Sequence, residues 1–254
     1  MRFNMTKKQS ELIAAKKFML EDYYWQEHWL VRINRRNVAL VEAMMRIDSS
    51  YRRSFDRNAK PSGNYSGSSA YWFTRLKEFG RGVVEEKLSY ETIIQESVNA
   101  VDRENSTHIN ADNVGRTELT RRLQDYQLDE LLHHLRDGDL VVYDRLKQRT
   151  QGYDGVRHRE NPSFASKYCH YACVFLFDGQ KEEDNYPIFD SIMRKALPLY
   201  LDYYGIEYGN LDNYCHYRNA IDDVIEASKS KVSRNGFDHL IWYYHKGSLP
   251  IITE

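Results

Sequence analysis

Apolar residues recur at three- and four-residue spacing along most of this chain, the period of an amphipathic helix. Leu12, Ile13, Phe18, Met19 and Leu30 predict a helix over 6–33, and Val38, Val41, Met45 and Ile47 continue the pattern over 36–54. "AKPSGNYSGSSA", residues 59–70, interrupts it with Gly, Ser, Asn and Pro, the composition of a linker. Further helices are expected at about 71–79, 90–101, 117–135 and 139–149. Between two of them lies a long polar loop, 105–119. Ser163-Phe-Ala-Ser-Lys opens an apolar helix that runs to Phe177, and a charged loop follows at 178–187. Asp190 opens a helix to about Tyr204, and two more are expected at 213–229 and 237–246. No series of strands is evident, so the expected class is all-α.

The chain has 254 residues, enough for one large domain or two small ones. Tyr alone contributes 20 residues, so much of the interior must be aromatic. No apolar segment of signal-peptide type follows Met1, and the uncharged run Tyr171–Phe177 is far too short to cross a membrane. The reading is a soluble, cytoplasmic protein without a membrane partner, and a monomer. Cys169, Cys173 and Cys215 make no disulfide framework. Cys169-His170 and Cys215-His216 resemble metal pairs, but adjacent helical residues point about 100° apart, so no metal is expected. Residues 1–60 carry 13 Lys and Arg against 7 Asp and Glu, a net of +6, while the rest of the chain is net acidic. A basic segment of this kind suits either a phosphate-binding surface or a solvated helix face.

Two polar residues stand out. Lys167 sits at the front of an apolar run, and Asp190 lies 23 positions later, after Tyr186-Pro187-Ile188-Phe189. In the stretch "Ala165-Ser166-Lys167-Tyr168" and the one ending in Asp190, the chain resembles the helix-hairpin-helix DNA glycosylases, in particular their oxidised-guanine branch. There a Gly/Ser/Thr-Lys step leads an apolar helix, and a Val-Pro-x-Asp stretch follows about twenty residues on. Here one extra residue separates Pro187 from Asp190. "FDHLIWYYHK" resembles the family's last helix. The match covers about 155–200 well, the last helix loosely, and the first 150 residues only in being helical. The glycine-rich hairpin of the family is replaced by Arg157-His-Arg-Glu-Asn-Pro, and the four-cysteine iron–sulfur loop of some relatives is missing, so no cofactor is expected.

The resemblance implies two helical domains with the active-site cleft between them: residues 1–65 with 183–254, and 70–182 ending in the helix-hairpin-helix. The implied activity is excision of a damaged or modified base from double-stranded DNA. Asp190 would stabilise positive charge on the sugar, and Lys167 would attack it or position it. Trp242, Tyr168, Asp238 and His239 are candidates for the base pocket. Arg157, Arg159 and Ser166 would hold DNA, and Asn110, Asn113 and Arg116 would fill the gap left by a flipped base. Read from the residues alone, Asp190 is equally an N-cap, and Lys167 a side chain whose stem is buried and whose head reaches solvent. Three functions follow: a glycosylase for bulky modified bases of phage DNA, such as glucosylated hydroxymethylcytosine; an oxidised-base repair glycosylase/lyase; and a non-catalytic helical DNA-binding protein.

Overall fold

The computed structural model describes residues 20–46, 54–63, 65–83, 88–105, 107, 109, 114–151 and 158–246. The chain divides into two compact units, Met1–Arg52 with Asp190–Glu254, and Arg53–Phe189. The sequence-based boundaries lay near 65–70 and 182–183. The described residues are mostly helical, with ten α-helices and two short antiparallel strand pairs. Among them no helix is long and apolar enough to cross a membrane.

The first unit opens with a hairpin where a helix was expected. Strands β1 (Asp22–Trp25) and β2 (His28–Val31) pair through Tyr24↔Trp29 and Tyr23↔Leu30. Aromatic and branched residues dominate this stretch, and these pack well on a pleated surface. Gln26 and Glu27 make the turn at φ 42° and 66°, without the Asn-Gly signal that would have announced it. The part of the expected helix before residue 20 lies outside the described residues. Helix α1 (Arg35–Met45) follows, capped by Asn34, whose side chain accepts from Asn37 N at 2.7 Å.

In the second unit come α2 (Ser69–Gly80), α3 (Tyr90–Asn105), α4 (Val114–Gln124), α5 (Leu128–Asp137) and α6 (Val141–Lys147). The single helix expected over 117–135 is two, α4 and α5, parted at Asp125–Gln127. Thr150–Gln151 (β3) pairs with His158–Arg159 (β4), and this pair joins α6 to α7 (Pro162–Leu176). Helix α7 is the axis of the unit and packs on α2, α3, α5 and α6. Its apolar character follows, since Phe164, Tyr168, Ala172 and Leu176 are buried on it. A short 3-10 turn, Lys181–Asp184, ends in the run to Phe189.

Asp190 begins the return to the first unit. Helix α8 (Ser191–Tyr204) ends at Gly205, whose φ of 66° suits glycine. Helices α9 (Tyr214–Ala227) and α10 (Arg234–His245) complete the unit and are capped by Asn213 and Ser233. Its core gathers Leu30, Val41, Leu197, Leu201 and Ile241. Tyr200 of α8 ties the hairpin to α10: its hydroxyl accepts from Val31 N at 3.1 Å and lies 3.0 Å from His245 Nε2.

Candidate functional site

Asp190 is the N-cap of α8, with extended φ and ψ of −127° and −179°. One carboxylate oxygen, Oδ1, accepts from Ile192 N at 2.9 Å and Met193 N at 3.0 Å. The other, Oδ2, accepts from the indole N–H of Trp242 at 3.0 Å. The residue is 8 % exposed. A carboxylate with three donors on two oxygens keeps one orientation, and the helix N-terminus adds favourable field. Capping was therefore a correct reading of Asp190, and it leaves the carboxylate rigid.

Lys167 belongs to the other unit. It is half-buried on α7, and its ammonium donates to the Asn105 carbonyl at 3.5 Å. That carbonyl ends α3, where a cation is favoured. Asn105 is itself held, since Tyr171 Oη donates to its Oδ1 at 3.0 Å. The residue before Lys167 fastens the chain before Asp190: Phe189 N donates to Ser166 Oγ at 2.9 Å, and Ser166 Oγ donates to the Ser163 carbonyl at 3.1 Å. Ser166 is fully buried, so the DNA contact expected of it is replaced by this internal role.

The run Tyr186–Phe189 is strapped to its unit at further points. His170 lies 3.0 Å from the Tyr186 carbonyl through Nδ1, which therefore carries the hydrogen. Tyr186 Oη donates to the Asp139 carbonyl. Asn185 Nδ2 donates to the carbonyls of Leu135 and Arg136 at the end of α5, at 3.0 and 2.9 Å. The approach to Asp190 is thus fixed up to the residue before it.

The remaining candidates separate clearly. Tyr168 has no exposed surface, its hydroxyl is 3.0 Å from Ser97 Oγ, and its ring packs on Phe73. It is a core residue and no wall of a base pocket, and burial pushes its phenol pKa up. Asp238 is buried on α10, and His239 beside it lies 3.9 Å from Glu42 of α1. That histidine, foremost, holds the Glu42 carboxyl below its usual range. Trp242 is half-exposed, with Lys246 Nζ 3.9 Å from its ring centroid. Arg159 is exposed on β4. Arg116 is engaged: its Nε donates to Asp102 Oδ2 at 2.6 Å, and its side chain is only 17 % exposed. Asp102 also accepts from Ile109 N at 3.2 Å and from Thr107 Oγ1, so Arg116 helps fold the polar loop and does not project as a gap filler. Arg157, Asn110 and Asn113 lie outside the described residues.

Sequence reasoning missed Arg122. Buried on α4, it donates to the carbonyls of Gln148 at 2.9 Å, Arg149 at 3.0 Å and Arg145 at 3.4 Å, and pairs with Glu118. Asn161 completes the clamp, with Nδ2 on the Gln148 carbonyl and on Thr150 Oγ1, and its own N–H on the Lys147 carbonyl. Side chains thus hold the chain on both sides of the β3–β4 connection. No signal in "TELTRRLQ" separates Arg122 from exposed Arg121.

The chain matches no protein-family model, no curated protein and no solved structure.

Proposed function

We propose that this chain is a DNA glycosylase that flips a damaged or modified base out of duplex DNA and cleaves its N-glycosidic bond. The observation that carries the reading is Asp190, a buried carboxylate fixed by two amides and an indole at the head of α8. An anion already oriented needs no reorganisation when positive charge builds on the sugar, and such preorganisation is the main source of electrostatic catalysis. The order α6, strand pair, α7 with Lys167, then Asp190 supports a helix-hairpin-helix scaffold. In the proposed reaction the bond from the sugar C1′ to the base nitrogen breaks, water supplies the new oxygen at C1′, and its proton goes to the departing base. An abasic site remains.

The substrate class we favour is a bulky modified base of phage DNA, glucosylated hydroxymethylcytosine being an example, with an oxidised base as the alternative. The test is to incubate the protein with phage DNA carrying that base, unmodified DNA and oligonucleotides with oxidised guanine, and then to assay abasic sites. Abasic sites in one of the modified substrates and none in plain DNA are expected. Their absence from all substrates, with the protein folded and DNA bound, overturns the reading. It leaves the second one, a non-catalytic DNA-binding protein, which one observation favours: the two amides on Asp190 Oδ1 are also what a purely structural cap would take.

A further inference from the structure

We propose that Trp242 is a positioning residue for Asp190 and not a stacking wall for the base. This rests on the glycosylase reading and adds to it a second residue of the same site. The indole N–H meets Asp190 Oδ2 at 3.0 Å, while the backbone amides of α8 take the other oxygen. The two groups come from different helices, since Asp190 heads α8 and Trp242 lies in the last turns of α10. The amides fix where the carboxylate sits. They engage only Oδ1, and the indole supplies the donor on Oδ2.

The ring is placed in turn by its own helix. Lys246, four residues on, holds Nζ 3.9 Å from the indole centroid, so an ammonium already lies over one face of the ring. Charge over the ring draws electron density from the indole and strengthens its N–H as a donor, so cation, ring, hydrogen bond and carboxylate polarise one another in series. Trp242 therefore faces two charges of opposite sign, one through its ring and one through its N–H.

The experiment replaces Trp242 with 3-benzothienylalanine, which keeps the ring's size and its face for Lys246 and removes only the N–H donor. Single-turnover base release, DNA affinity and melting temperature are measured beside the native protein and Trp242→Phe. The expected result is a fall in the release rate of tenfold or more for the isostere, with DNA affinity within twofold and the melting temperature near native. Native-like release by the folded isostere overturns the proposal while leaving the glycosylase reading in place. Weakened affinity at an unchanged rate restores Trp242 to the base pocket and also overturns it. Failure of the native protein to release any base removes the underlying reading instead, and the inference with it.

Discussion

Asp190 accepts hydrogen bonds at the head of one helix, while Lys167 donates one at the end of another. Asp190 accepts from two amides and an indole N–H, three donors on its two oxygens. Lys167 donates to the Asn105 carbonyl at the end of α3. An amine must lose its proton before it attacks a sugar carbon. Attack by Lys167 on the sugar would take its nitrogen off the Asn105 carbonyl. Borohydride trapping reads this directly. A covalent protein–DNA adduct from the native protein and none from Lys167→Gln is the outcome for a lyase. Base release without any adduct makes the enzyme monofunctional and leaves Lys167 an electrostatic role. Ser166→Ala tests the strap before Asp190: losing a buried hydrogen bond and leaving the Phe189 amide unpaired should cost about 1–2 kcal/mol in urea denaturation.

At the scale of elements, the clamp on the β3–β4 connection carries a prediction of its own. Arg122→Met removes a buried cation that serves three carbonyls and Glu118, leaving Gln148 O to Asn161 alone and taking this donor from the others. A loss of roughly 2–4 kcal/mol is expected, the range for breaking buried polar networks, with Glu118 partly relieved by solvent. A loss below about 0.5 kcal/mol would show that Asn161 alone holds the turn. The sequence made the helices legible wherever a cap and a period agreed. Asp190 to Tyr204 is the clearest case, because the Asp before Ser191 and the Gly after Tyr204 bracket the apolar period of Met193, Ala196, Leu197, Tyr200 and Leu201, which persists despite Pro198. It failed at β1–β2, where Tyr23, Tyr24 and Leu30 continue the helical period of Phe18 and Met19 and the turn residues are Gln and Glu. Asp190's capping was legible from its type and place. The indole on its other oxygen was not, because Trp242 is 52 residues away and its packing on α8 is a tertiary fact. Tyr168 and Ser166 were misread for the same reason: an aromatic and a hydroxyl on an apolar helix do not announce which way they face.

For the molecule as a whole, two solution properties follow. His245 is held neutral, its pKa lowered to about 4 from 6.5, chiefly by burial and secondly by the charge of His28. The unfolded chain takes up that proton near pH 6.5 and the native state only near 4, so the contribution to stability is complete above pH 6.5 and drains away between 6.5 and about 4. Between pH 7.5 and 5 this amounts to about 2 kcal/mol at 1.36 kcal/mol per pH unit. Urea denaturation of native protein and His245→Phe at both values should show the native protein losing about that much more than the variant; equal losses would contradict it. DNA binding, if carried by the basic first 60 residues and by Arg159, should weaken steeply with salt, the logarithm of affinity falling in proportion to that of salt concentration. A salt-independent affinity would remove any phosphate-tracking surface. The central claim, that Asp190 stabilises a positive sugar, is tested most directly by single-turnover base release from one modified substrate by native protein and Asp190→Asn, with melting temperature and DNA affinity as controls. The account predicts a rate lower by roughly a hundredfold or more, DNA affinity retained, and a stability loss of about 1–2 kcal/mol, since Asn keeps the cap but meets the Trp242 N–H less well. Near-native release by a folded Asp190→Asn would contradict it and reduce Asp190 to the cap of α8.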